Sequence, residues 1–166
     1  MPDRWPLGLM KQLDDHRLRQ TAKCELAVEV LRSSGSVRFA ATGWSMVPSI
    51  WPGETLVVER IAPEEICVGD VVVVGRSSAL IAHRVISIAG IAEDLRWITQ
   101  GDALSLPDSP VSEPDLLGRV AYLIRDGKCV PVPAELSVIQ NVLARIVRRS
   151  VPATRALVYL NRRLNG

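Results

Sequence analysis

The most constraining feature of this sequence is a run of short β-branched segments, separated by turn residues, between residues 37 and 132. Val, Ile and Thr favour strands, and Pro-Gly, Gly-Asp and Asp-Gly steps favour the turns that join them. Short strands at such regular spacing are typical of a β-barrel or sandwich. We therefore predict a mainly β body built on six strands: ETLVVER, DVVVVG, ALIAHRVISI, LRWITQ, GRVAYLIR and KCVPV.

Helical segments are predicted on both sides of the β body. Good helix formers run through residues 9–33, and Gly35 follows as a stop signal. Apolar residues return at helical spacing near the C-terminus, where Pro152 separates two predicted basic helices at 134–150 and 152–165. The chain is thus divided into an N-terminal helical segment, a β domain and a C-terminal helical segment: 1–36, 37–132 and 133–166.

Charge and cysteine content narrow the classes of function. A net charge of +2 gives no overall signal for nucleic-acid binding, so we expect no nucleic-acid partner. Three scattered cysteines without a C-x-x-C pair argue against a metal site and a disulfide framework, and we expect no cofactor. The N-terminus lacks the apolar stretch of a signal peptide, and no window approaches the roughly 18 uncharged apolar residues of a membrane span. We therefore expect a cytoplasmic or peripherally membrane-associated protein.

The stretch GWSMVPSIWPG, residues 43–53, places a Ser-Met pair between two tryptophans and two prolines in a predicted turn. A serine hydroxyl becomes a strong nucleophile when a positioned base removes its proton. Of the two histidines, His16 lies in a charged helical stretch, whereas His83 lies in a predicted strand. An unperturbed imidazole titrates near pH 6.5, which suits a base at neutral pH. Taken alone, His83 is also explained as an ordinary strand histidine.

The segment QGDALSLPDSP contains two candidate acidic residues, Asp102 and Asp108. Gly-Asp and Pro-Asp steps are common turn formers, so this loop by itself also has a purely structural explanation.

Taken together, these motifs resemble those of type I signal peptidases. The chain carries Gly-x-Ser-Met-x-Pro, Gly-Glu before a strand, Gly-Asp-Val-Val, His-Arg-Val, and Gly-Asp-Ala with an aspartate six residues on, over about residues 40–125. The resemblance implies a signal-peptidase-like fold, Ser45 as nucleophile and His83 as general base, as in the archaeal and endoplasmic-reticulum branch. None of the three lysines lies between the serine and the Gly-Asp loop, where the common bacterial branch has its base. We expect Asp108 to orient His83 and Asp102 to fix the loop through backbone N–H groups.

The function implied is that of a serine endopeptidase cleaving an extended leader or signal peptide, with small residues before the scissile bond. The sequence departs from the family at three positions: Gly43 replaces a serine that supplements the oxyanion hole, Trp44 replaces a small residue, and Glu54 replaces an aspartate. We also expect no counterpart of the family's N-terminal membrane anchor. One alternative is a weak or inactive peptide-binding scaffold. Another is a self-cleaving repressor, which needs a DNA-binding domain of roughly 60 residues before the serine.

The C-terminal helices generate a prediction about membrane binding, because six arginines and no acidic residue lie from Leu136 onward. Basic amphipathic helices bind anionic bilayers, at roughly 1 kcal/mol per basic residue near the surface. The other interpretation is that their apolar faces pack on the β body. Co-sedimentation with anionic vesicles that weakens as salt is raised is expected for membrane binding. Failure to sediment, or sedimentation indifferent to salt, would contradict it.

Overall fold

The structure is a computed structural model that describes residues 7–76, 79–91, 94–135 and 144. It is mainly β, as the sequence predicts, with one helix and seven strands in the described ranges. The elements in chain order are α1 (Leu7–Ser34), β1 (Ser36–Ala40), β2 (Thr55–Glu59), β3 (Val71–Arg76), β4 (Ala79–Ala89), β5 (Arg96–Gln100), β6 (Leu116–Arg125) and β7 (Lys128–Pro131).

Strands β2 to β7 correspond to the six predicted segments, and β1 is an additional strand that the sequence pattern did not predict. The predicted N-terminal helix is confirmed. The two predicted C-terminal helices lie outside the described residues, apart from the residues 134, 135 and 144. Within the described part of the chain, no helix combines the length and apolarity required to cross a bilayer.

Helix α1 ends at Ser34, and Gly35 follows it as the predicted stop. The Gly35 N–H donates to the Leu31 carbonyl at 3.0 Å, and its φ of +74° lies in the left-handed region that glycine adopts without steric cost. Leu31 itself is buried in a core cluster beside the sheet. The glycine therefore turns the chain from the packed end of the helix directly into β1.

The seven strands form one antiparallel sheet in the order β1-β2-β6-β3-β4-β5, and β7 also pairs with β6. Strand β6 is long enough to pair with β2 on one side and with β3 and then β7 on the other. Among the described strands, β1 pairs with β2 alone. Strand β5 pairs with Arg84–Ala89 of β4, and its Trp97 also forms an isolated bridge to Val111. One backbone edge of β1 therefore has no neighbouring strand among the described residues. The same is true of one backbone edge of β4 along the first half of that strand.

Strand β3 lies between two apolar cores. Side chains alternate across a strand, so Val71 and Val73 enter one cluster while Val72 and Val74 enter the other. The first cluster includes Leu31 of α1, and the second is built around the buried Trp97. Because β4 pairs with β3 residue by residue, its successive side chains are also sent to opposite faces of the sheet. This alternation determines where the residues of the candidate site lie.

Candidate active site

Ser45 lies at the start of a tight turn whose following residues are buried. The Val47 N–H donates to the Trp44 carbonyl at 3.2 Å, and the Ile50 N–H donates to the Met46 carbonyl at 2.9 Å. Met46 and Ile50 are part of the first core cluster, and Val47 is fully buried against the loop that follows β5. Burial of these three apolar side chains fixes the turn, while Ser45 remains partly exposed at its surface.

His83 reaches Ser45 from strand β4. The imidazole is 4% exposed, and its Nε2 atom lies 2.9 Å from Ser45 Oγ. Its other nitrogen, Nδ1, lies 2.6 Å from Oδ2 of Asp108. Because a carboxylate only accepts hydrogen bonds, this arrangement assigns the imidazole proton to Nδ1 and leaves Nε2 free to accept the Ser45 hydroxyl proton. The three side chains therefore form a continuous hydrogen-bonded chain.

Asp108 is held in place by Thr99, which is not among the site residues predicted from the sequence. The Thr99 hydroxyl donates to Asp108 Oδ2 at 2.7 Å, and the Asp108 N–H donates to the Thr99 carbonyl at 2.8 Å. Thr99 is 1% exposed on β5, where a buried hydroxyl needs a partner. A polar residue on the inward face of the strand RWITQ was the one signal that pointed to this contact.

Asp102 belongs to a second, separate network that is centred on Arg84. The Arg84 guanidinium makes a bidentate pair with the carboxylate, Nε to Oδ1 and Nη2 to Oδ2, both at 2.9 Å. The Ser49 hydroxyl donates to Oδ2 at 2.5 Å. Arg84 and Asp102 are 7% and 4% exposed. The expectation that Asp102 acts through backbone N–H groups thus missed its main partner, a guanidinium one residue after His83.

The remaining guanidinium nitrogen of Arg84 connects this network to two other chain segments. Nη1 donates to the carbonyl oxygens of Gly69, Pro133 and Ala134 at 2.8, 2.7 and 3.2 Å. A buried arginine requires such partners, because an unsatisfied charged donor away from water is costly. His83 and Arg84 are neighbours in sequence on opposite faces of β4, so one strand supports both networks.

Gly101 allows the loop after β5 to approach Ser45 closely. A Cβ atom at this position would lie 2.6 Å from the Ser45 carbonyl oxygen, 2.9 Å from Ser45 Cβ and 3.0 Å from His83 Nε2. The Ala103 N–H donates to the same Ser45 carbonyl at 2.8 Å. Only a glycine fits here without displacing the serine or the imidazole.

The backbone N–H of Ser45 makes no hydrogen bond within the described part of the chain, so it is available to an incoming oxygen. A Cβ atom at Gly43 would lie 4.0 Å from Ser45 Oγ, which is ordinary contact distance. A side chain at position 43 would therefore line the site. Because the residue is glycine, this position supplies no second hydroxyl donor. Thr42, the residue before Gly43, carries a hydroxyl group and lines a cavity that opens beside Ser45.

A cavity of about 1060 Å³ opens beside Ser45. It is bounded by the face of α1 at residues 23–30, by β1 and by the first part of β4, residues 79–82. We call this cavity the groove. Its two strand walls carry the backbone edges that no other described strand covers.

Comparison with known proteins identifies no relative of this chain: no family model, no curated protein and no solved structure matches it.

The two aspartates are expected to respond differently to removal of their charge. Asp108→Asn removes the acceptor that orients His83, so labelling of Ser45 by a serine-directed covalent probe should slow by about 10⁴-fold with the melting temperature retained. Asp102→Asn leaves the buried Arg84 charge unpaired, which should lower the free energy of unfolding by about 3–5 kcal/mol. Labelling rates and thermal unfolding of both variants separate the roles. Normal labelling in folded Asp108→Asn protein would exclude it as the orienting acid.

Gly101→Ala should impair the site without removing any of its polar groups. The added methyl group must push Ser45 and His83 apart, and a displacement of about 1 Å is expected to slow covalent labelling by about 10²-fold. Gly43→Ala is the matched control, because its methyl group meets Ser45 Oγ at 4.0 Å without a clash. Equal labelling rates in the two alanine variants would contradict the close-approach argument.

Proposed function

We propose that this chain is a serine endopeptidase of the signal-peptidase type, with Ser45 as nucleophile, His83 as general base and Asp108 as the orienting acid. The observation that carries the proposal is the unbroken chain of hydrogen bonds from Ser45 Oγ through both imidazole nitrogens to Asp108. A positioned base next to a hydroxyl, with a third group holding the base, is the arrangement that nucleophilic catalysis by serine requires.

In the proposed reaction, Ser45 Oγ attacks the peptide carbonyl carbon while His83 Nε2 takes the hydroxyl proton. The carbonyl oxygen becomes an oxyanion, to which the Ser45 N–H donates. Collapse of this intermediate breaks the C–N bond, and the imidazolium gives its proton to the leaving amine. A water molecule then repeats the sequence on the acyl-enzyme, which releases the carboxylate and restores Ser45. Asp108 holds the Nδ1–H tautomer and stabilises the imidazolium in both halves.

An extended peptide is the substrate that the groove favours. The edges of β1 and of residues 79–82 of β4 both line it and offer free backbone donors and acceptors. Peptides bind such edges by adding a strand, in which main-chain hydrogen bonds give affinity and side-chain pockets give selectivity. Because the groove begins at Ser45, a peptide held this way passes its backbone carbonyls beside the nucleophile.

The signal-peptidase part of the proposal is supported by the way the motif residues meet. The serine motif buries Met46 in the first core, the His-Arg-Val motif lies on β4, and the Gly-Asp loop contacts Ser45 through its Ala103 N–H. These three motifs therefore contribute to one site. Substrates of the leader or signal-peptide class are inferred from this resemblance.

A second candidate function, peptide binding without efficient turnover on the same fold, is favoured by Gly43. The loss of one oxyanion-hole donor typically costs about 10²–10³ in rate. The exposed Trp44 beside the nucleophile also adds bulk where a substrate would pass.

The proposal is tested with the Ser45→Ala variant. Wild-type protein should be labelled at Ser45 in a one-to-one ratio by the covalent probe and should cleave members of a peptide library, whereas Ser45→Ala should do neither. Its melting temperature should change little, because the Ser45 side chain is only partly buried. Ser105→Ala, on the exposed loop between the aspartates, is the matched control and should retain both activities. A folded wild-type protein that binds peptides without labelling or cleavage would favour the second candidate.

A further inference from the structure

The groove beside Ser45 is largely apolar and carries charge of one sign. The described residues that line it are mainly Ala, Val, Leu, Ile, Met and Phe, with a few neutral polar groups. Its charged lining residues are two cations, Lys23 from α1 and Arg38 from β1, and no acidic residue is among the described lining. A groove of this kind attracts an apolar ligand that also carries negative charge.

Neither cation is neutralised within the described part of the chain. Lys23 and Arg38 are exposed and make no salt bridge there. Four other described arginines, in contrast, pair with carboxylates: Arg84, Arg96, Arg119 and Arg125. Exposed cations without a partner are common on protein surfaces, but these two share the wall of one apolar groove.

The acidic groups nearest in the sequence and in the sheet lie outside the groove. Glu25 and Glu29 are exposed on α1, and Glu59 pairs with Ser36 at the other end of the β1–β2 ladder. The Cys24 thiol does line the groove, but desolvation and the charge of Glu25 raise its pKa, so it adds no negative charge at neutral pH. No described carboxylate therefore forms a salt bridge with either cation of the groove.

We propose that the groove selects peptides with an acidic side chain that binds Lys23 and Arg38 on one side of the scissile bond. This inference rests on the proposed function, since it names the substrate class of that same site. Arg38 is the middle residue of β1, and an extended peptide rises about 3.3 Å per residue. A peptide that follows β1 away from Ser45 thus brings its acid to the cations about three to six residues from the scissile bond.

The test compares aspartate with asparagine, which has the same shape without the charge. A host peptide of Ala, Val, Leu and Ser carries a single Asp or Asn at each position in turn, on both sides of the scissile bond. Binding is measured by fluorescence anisotropy with the Ser45→Ala protein, and cleavage is measured with the wild type. Aspartate should bind about tenfold more tightly than asparagine at one or two adjacent positions, as expected for a charge-assisted hydrogen bond. The preference should decline as salt is raised.

Two charge-matched double variants identify the residues responsible. Lys23→Gln with Arg38→Gln should abolish the preference for aspartate. Lys128→Gln with Arg60→Gln removes the same two charges outside the groove and should leave the preference intact. Arg38→Glu should instead favour a host peptide with lysine at the selected position. All four residues are exposed, so thermal unfolding should be unchanged in each variant.

The outcomes separate this inference from the proposed function. Cleavage by the wild type without any preference for aspartate overturns the inference and leaves the peptidase proposal standing. If the protein prefers aspartate peptides in binding but cleaves none of them, the peptidase proposal is overturned and the inference about the groove stands. Equal loss of the preference in both double variants, or no binding of any peptide in the set, also overturns the inference.

Discussion

The buried ion pair between Arg84 and Asp102 joins the chain segments that carry the candidate catalytic residues. Arg84 is adjacent to His83, Asp102 is adjacent to Gly101, and Ser49 hydrogen bonds to the pair from the turn that begins at Ser45. Two buried charges are costly to desolvate, and they are tolerated where every donor and lone pair finds a partner. Here the carboxylate and three carbonyl oxygens satisfy the guanidinium. The pair thus links the segments that carry His83, Gly101 and the turn of Ser45.

The site distributes its tasks over two faces of one sheet. On one face of β4, His83 takes part in the hydrogen-bonded chain that ends at Asp108 and Thr99. On the other face, Arg84 holds the supporting loops. The apolar clusters on the two sides of β3 keep the sheet fixed between these networks, because neither face can shift without opening a packed core. The candidate catalytic histidine and the arginine that supports the neighbouring loops are thus adjacent in sequence and separated by the sheet.

The sequence was sufficient to predict the elements whose signals are local. Six strands, the helix stop at Gly35 and the turn at Pro52 and Gly53 follow from side-chain preference and backbone freedom; the Glu54 N–H donates to the Trp51 carbonyl across that turn. Strand β1 was missed because SVRFA contains a single β-branched residue, Val37, so its side chains carry a weak strand signal. The contacts of Thr99, Ser49 and Arg84 were missed for another reason. They join residues from 9 to 53 positions apart, and no local pattern records which polar side chains meet across such separations.

The adjacency of His83 and Arg84 limits how this protein can change over evolutionary time. Insertion or deletion of one residue at the start of β4 would move every later side chain to the opposite face, which would exchange the imidazole and the guanidinium. Natural selection can act on single substitutions in this strand one at a time. A change in length ahead of His83 and Arg84 instead removes the His83 and the Arg84 hydrogen-bond networks together. The irregularity that β4 does contain lies between Val85 and Ser87, where the exposed Ile86 is the extra residue. The register irregularity of β4 thus comes after the His83-Arg84 pair in the chain.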